Sequence, residues 1–189
     1  MVLEFRNENY FLSNMFECEI LYKGFTFKCS EALFQACKAC NIEDFMKFVG
    51  LNGFEAKKLG RCIKLRKDWN DIRVNIMYEV LKLKFSNPEL KAKLLATGNE
   101  ELIEGNYWND KFWGVSLKDY EGDNNLGKLL MRIRKEIREE EFLKEINFTL
   151  DVKSDINYYI IYKNGEFFTK LPKKGTDLNY VKEHFQIKE

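Results

Sequence analysis

Residues 30–40, SEALFQACKAC, place the strongest constraint on how this chain folds. At about 100° per residue, Glu31, Gln35 and Lys38 fall within about 60° of one another on a helix. Every other position from 32 to 40 is Ala, Leu, Phe or Cys. A surface helix carries a broad polar face. One that is apolar nearly all round must be wrapped by the rest of the chain, and Ser30 offers it an N-cap. Its three polar side chains then either line an internal pocket or form a thin solvent-facing seam with a charge pair. With 189 residues and 45% hydrophobic content, the chain can supply the wrapping from one domain plus a small appendage.

In a pocket, that stripe is chemical. The helix dipole favours an ionised Glu31 in the first turn, suited to stabilising a cation or accepting a proton. Burial disfavours the charge on Lys38. A neutral lysine is a nucleophile toward a carbonyl-like carbon, while a charged one binds phosphate or protonates a leaving group.

Composition removes other chemistries. His184 is the one histidine. This excludes His-rich metal sites and HExxH proteases, and it leaves a Ser-His-Asp triad without a well-placed base. The formal net charge of +1 argues against a polyanion binder working by bulk charge. Five cysteines fit a reduced compartment, and Cys37 and Cys40 lack the further ligands of a zinc set. No metal is expected. The start of the chain, MVLEFRNENYF, has no apolar signal core, and no run reaches the ~20 apolar residues of a membrane span. A cytoplasmic protein is the expectation.

Periodicity predicts an α+β chain, predominantly helical. Lys23 and Gly24 between ECEILY and FTFKC read as a β-hairpin. Short helices follow near 43–49 and 54–60. A long helix from Asp68 to about Phe85 is apolar at Trp69, Ile72, Ile76, Val80 and Leu83. Asn87 and Pro88 open another, ended by Thr97 and Gly98. Residues 105–125 read as a long loop, and a last long helix runs from Gly127 to about Ile146. Beyond it, Asn164-Gly165 between INYYIIY and EFFTKL marks a second hairpin, with a short helix capped by Asp177. The predicted domains are residues 1–146 and a ββα appendage, residues 147–189, packed on the first.

Further clusters carry polar chemistry. Residues 105–114, GNYWNDKFWG, bring Trp108, Asp110 and Trp113 into a loop longer than most, and such loops are usually functional. Residues 122–127, GDNNLG, open a helix with glycines that would admit a phosphate, or simply cap it. Residues 57–67 hold six Lys and Arg without an acid, which reads first as a solvated face.

Taken in order, these pieces resemble the NADAR (YbiA-like) family of N-glycosidases. The carrying residues are Leu12-Ser13-Asn14, then Ser30 and Glu31 with Phe34, Gln35 and Lys38. Trp69, Met77 and Lys84-Phe85 follow, then Leu94-Leu95 with Thr97-Gly98 and Leu102-Ile103-Glu104. The set closes with Asp110, Trp113-Gly114, Asn125-Leu126-Gly127 and Arg134. The match runs from about residue 3 to 138. The resemblance implies a helical domain with a small N-terminal antiparallel β element and a pocket for ADP-ribose-like ligands. It implies cleavage of a C–N bond at ribose C1 without a cofactor. The implied substrates are ADP-ribosylated guanine, free or in nucleic acid, or another ADP-ribose N-glycoside. The alternatives are ribosylamino-pyrimidine phosphates of riboflavin synthesis, or ADP-ribose or NAD binding without catalysis.

Carried onto this sequence, the resemblance makes Lys38 the reactive group, through a Schiff base with opened ribose. Glu31 stabilises charge at C1 or orients ribose hydroxyls, and Asp110 is the third catalytic residue. Asn14, Gln35, Trp69, Trp113, Gly114, Asn125 and Gly127 are the implied substrate contacts. Two positions depart from the family pattern. Ala32 stands where a His often follows the glutamate, and Val115 follows Trp113-Gly114 where small-residue spacing is common.

Overall fold

Lys23 and Gly24 adopt positive φ (49° and 83°), the paired left-handed residues of a tight hairpin turn. They join β1 (Glu17–Tyr22) to β2 (Phe25–Cys29) as an antiparallel pair. The computed structural model describes residues 1–145 and 148–187. Directly after β2 comes α1 (Ser30–Ala36), all seven residues of which are buried. Ile20, Phe27, Leu33, Ala36 and Phe48 form one core between hairpin and helix. The seam alternative for the polar stripe is therefore excluded, because α1 has no solvent-facing side.

The helix is shorter than its pattern predicts. The backbone tightens after Ala36, with the N–H of Lys38 donating to Gln35 O at 3.2 Å. The Lys38 carbonyl then accepts from Arg66 N at 3.0 Å, and Ala39 bridges Leu65. A competing strand-like partner ends the helix before Lys38, Cys37 and Cys40. All five cysteines are free.

Two short helices follow, α2 (Ile42–Met46) and α3 (Gly53–Leu59), the second opened by a reciprocal capping box between Asn52 and Glu55. In α4 (Trp69–Lys84), Asp68 is the N-cap by position, but its carboxylate pairs with Arg66 instead of a helix N–H. The buried positions of α4 are Trp69, Met77, Val80, Leu81 and Lys84, a stripe rotated from the predicted one. The reason is cover on two sides. Ile76, Val80 and Leu83 pack on the hairpin core, while Trp69 and Met77 face the cavity described below. Asn87 and Pro88 open α5 (Pro88–Ala96) as predicted, with Asn87 Oδ1 accepting from Glu89 N and Leu90 N.

The predicted loop 105–125 contains two short strands, β3 (Gly105–Asn106) and β4 (Val115–Ser116), paired in parallel. The N-terminal segment runs alongside: Ile103 N donates to Val2 O, and Gly105 N to Leu3 O. The long helix α6 begins at Asn125, two residues earlier than predicted, and extends to Glu145.

The chain divides into two compact units, Met1–Glu136 and Ile137–Glu189. The predicted domain limit at 146 and the predicted helix end at Ile146 lie outside the described residues. In the second unit, Asn164 and Gly165 (φ 52° and 85°) turn β6 (Tyr158–Lys163) into β7 (Glu166–Pro172). Asp177 caps α7 (Leu178–His184). The sheet has a third strand, β5 (Phe148–Asp151), so the predicted ββα unit is a βββα unit. FTLD is too short to show an alternation of its own. No helix among the described residues is long and apolar enough to cross a membrane.

Candidate active site

A cavity of about 870 Å³ opens within the first unit. Glu31 and Gln35 come from α1, Lys38 from the turn after it, and Trp69 and Met77 from α4. Asp110 and Trp113 come from the loop between β3 and β4, and Asn14 from the segment before β1. The structure thus brings together Asn14, Glu31, Gln35, Lys38, Trp69, Asp110 and Trp113, residues spread over a hundred positions of sequence.

Glu31 is 7% exposed and Gln35 5%. Gln35 Nε2 donates to Glu31 Oε1 at 2.7 Å, one helical turn away. Gly60 lets α3 approach this pair, because a Cβ there would collide with Gln35 Oε1. Burial pushes the Glu31 carboxyl above its usual range, against the pull of the Gln35 bond and of Lys57 and Lys38. This corrects the expectation from the helix dipole: in a helix of seven residues, desolvation outweighs it. For Lys38 the expectation and the structure agree in direction. Burial lowers its ammonium pKa, Glu31 opposes this, and Lys57 and Arg61 reinforce it. Lys38 Nζ lies 5.6 Å from the Trp69 ring centre and 5.8 Å from that of Phe34. Phe34 in turn packs edge-on against Trp113 at 5.4 Å. The amine sits against an aromatic wall, beside an acid.

Asp110 holds its own loop. Its Oδ1 accepts from Phe112 N at 3.1 Å and Trp113 N at 2.9 Å, an Asx turn that sets the Trp113 ring. Gly114, Asn125 and Gly127 are not among the residues lining the cavity. A Cβ on Gly114 would meet Glu104 O, and one on Gly127 would meet Leu102 O. Asn125 Nδ2 donates to Phe112 O at 2.8 Å. These three let backbones approach and tie the loop to α6. Val115 lies in β4, where its N–H donates to Glu104 O.

Sequence reasoning assigned no site role to several residues. Glu104 lines the cavity, and burial reinforced by Asp110 pushes its carboxyl up to about 7. Asn106, fully buried, donates to Asp110 O and Val115 O and accepts from Asp110 N. Asn124 accepts from Glu104 N and donates to Leu102 O. Lys84 is 1% exposed, and its Nζ donates to Ser13 O at 2.7 Å. With Glu31 N donating to Asn14 O, this pins the Ser13–Asn14 corner over α1. Asparagines in a polar loop give no signal of burial, and Lys84 falls in a helix turn where a lysine reads as solvated.

Arg6, Lys57, Arg61 and Arg73 also line the cavity, with Trp108 56% exposed among them. Two residues of the basic run, Lys57 and Arg61, therefore border the cavity instead of forming only a solvated face. Buried Asn14 Oδ1, Gln35 Oε1, Glu104 Oε2 and Arg73 Nε have no hydrogen-bond partner among the described residues. All four belong to lining residues and are themselves buried from solvent. No three His, Cys, Asp or Glu side chains among the described residues are grouped to hold a metal ion.

Comparison with known proteins gives this arrangement a family. A model of the NADAR domain matches residues 4–138. The chain belongs to the NADAR family. The match spans the region read from sequence, and it contains every residue of the cavity. The chain is 37% identical over 138 residues to a riboflavin biosynthesis protein of Vibrio vulnificus, covering 70% of this chain and 37% of that protein. It is 44% identical over 87 residues to an N-glycosidase of Nostoc punctiforme, covering 44% of this chain and 54% of that one. It therefore spans about a third to a half of the length of these two relatives. N-glycosidase YbiA of Escherichia coli is 34% identical over 134 residues, covering 68% of this chain and 82% of YbiA. The NMR structure of YbiA matches with a TM-score of 0.68 at 30% identity, covering 75% of this chain and 88% of that one. The NADAR match ends at the start of the second unit.

Proposed function

We propose that this NADAR chain is an N-glycosidase that hydrolyses the C–N bond between ribose C1 and a base or amine. The observation that carries the reading is the buried Glu31–Gln35 pair facing the same cavity as Lys38, an amine whose proton is held less tightly than usual. C–N cleavage at C1 passes through an oxocarbenium-like state, which a nearby carboxylate stabilises. The names of the N-glycosidase relatives support the same class.

In this reading the free amine of Lys38 captures C1 as a Schiff base on the opened sugar, and water later releases it. Glu31, with its Gln35 bond, faces the positive charge at C1. Asp110 keeps Trp113 and Phe112 in place and adds negative potential. The rings of Trp69 and Trp113 give flat surfaces to a sugar or base, and Asn14 Oδ1 accepts from a ribose hydroxyl. Asn125, Gly114 and Gly127 serve substrate through the loop they hold. No cofactor takes part.

The substrate we favour is ADP-ribose joined to guanine or to another amine. The size of the cavity and the cations that line it, Arg6, Lys57, Arg61 and Arg73, suit a ligand with two phosphates. A second reading, a ribosylamino-pyrimidine phosphate, is favoured by the riboflavin biosynthesis name of the Vibrio relative. Chromatographic assay of the two substrates separates them. Release of ADP-ribose from ADP-ribosyl guanosine supports the first. Turnover of the pyrimidine phosphate alone selects the second. Tight ADP-ribose binding with turnover of neither leaves a binding module.

A further inference from the structure

Three carboxyl side chains, those of Glu31, Glu104 and Asp110, line the cavity, and they are supplied differently. Glu31 accepts from Gln35 Nε2, and Asp110 Oδ1 accepts from two loop N–H groups. Both therefore have hydrogen-bond donors supplied by the protein. Glu104 lines the same cavity, yet its buried Oε2 has no partner among the described residues. The backbone of Glu104 is fixed from both sides. Its N–H donates to Asn124 Oδ1 at 3.1 Å, and its carbonyl accepts from Val115 N at 2.9 Å. Gly114, which carries no Cβ, makes that close approach possible. A rigid main chain thus holds the Glu104 carboxyl at the cavity wall, with Oε2 buried and unpaired among the described residues.

We propose that Glu104 is the acid that protonates the departing nitrogen, a catalytic role in addition to those of Lys38 and Glu31. The inference rests on the N-glycosidase reading. As the C1–N bond breaks, its electron pair stays on nitrogen. The carboxyl proton of Glu104 passes to that nitrogen and leaves a carboxylate. The water whose oxygen ends on C1 returns a proton to Glu104, so the cycle closes with one water consumed and no other reactant. The charged groups that act on Glu104 are Asp110, which favours the acid form, and Lys57, Arg6 and Lys84, which favour the anion. Burial outweighs the three cations and holds the carboxyl at about 7, where an acid catalyst is most effective near neutral pH.

The test is Glu104→Gln in the full-length chain, with kcat, KM and the pH dependence of kcat/KM measured on the N-riboside that the wild type cleaves. An acid role predicts that kcat falls by at least about 100-fold while KM stays within about threefold. The wild-type profile bends downward at about pH 7, as the acid form is lost above the Glu104 pKa. The variant lacks that bend. A variant that keeps wild-type kcat, keeps the bend, or loses kcat and KM together overturns the proposal. If Glu104→Gln does not fold, Glu104→Asp carries the test: reduced kcat with the bend retained supports the role, and unchanged kcat rejects it. A wild type that cleaves no N-riboside rejects the N-glycosidase reading itself. An active wild type with an unaffected variant rejects Glu104 alone.

Discussion

Where protons rest on single side chains decides what the cavity can do. Burial raises Glu31 and Glu104 and lowers Lys38, so each charged form is less favoured than in water. Lys38→Ala removes the proposed nucleophile and should cut kcat/KM by about 100-fold or more, with circular dichroism unchanged. Glu104 also leaves a mark on stability. Its folded pKa of about 7 lies above the ordinary 4.5, so between these values the folded chain keeps a proton that the unfolded chain releases. Stability is therefore fully present below pH 4.5 and declines as pH rises to 7, by roughly 2–3 kcal/mol. Urea unfolding should show Glu104→Gln gaining that amount on the wild type between pH 5 and pH 8. An unchanged difference would place the carboxyl in contact with water. Glu31, Gln35 and Lys38 were legible in the sequence because they break an otherwise apolar helix pattern. Glu104 was legible only as a position of the family pattern; its acidity was not, because it comes from burial and from Asp110, which local sequence does not reveal.

Elements hold these side chains by backbone fit. The strand-like bridge between Ala39 and Leu65 stops α1 short of Lys38, and the break follows from a contact 26 residues away. No 3.6-residue pattern encodes such a contact, so the helix was legible and its end was not. The segment before β3 and the loop that follows it rest on Asn124 and on Gly114 and Gly127, packed against the carbonyls of Glu104 and Leu102. Asn124→Ala strips two hydrogen bonds from buried backbone and should destabilise by about 2–3 kcal/mol. Gly127→Ala forces a Cβ onto Leu102 O, which cannot swing aside, and should lower Tm by several degrees or more. Both variants should also lose activity, since the same loop carries Asp110 and Trp113. A Gly127→Ala protein with wild-type Tm would show that α6 can shift outward. The second hairpin was legible from Asn164-Gly165, whereas β5 was not, since four residues beside a sheet edge have no period to read.

For the molecule as a whole, chemistry and extension are separate in sequence. The lining residues run from Phe5 to Leu126, inside the NADAR match and the first compact unit. A chain ending at residue 145 should accordingly keep kcat/KM within about twofold, measured on the same N-riboside as the full chain. A large loss would assign residues 148–189 a part in catalysis. The lone histidine restricted the chemistry to carboxylates, lysine, amides, cysteine or backbone, and the cavity holds the first three kinds in Glu31, Glu104 and Asp110, in Lys38, and in Gln35 and Asn14. In the proposed function, Lys38 and Glu31 together cleave a ribose C–N bond. Borohydride trapping during turnover of ADP-ribosyl guanosine or the pyrimidine riboside, read by peptide mass spectrometry, tests it most directly. A reduced ribose adduct on Lys38 is expected, absent in Lys38→Ala and strongly diminished in Glu31→Gln. Turnover that continues in Lys38→Ala, or an adduct on another lysine, would contradict it.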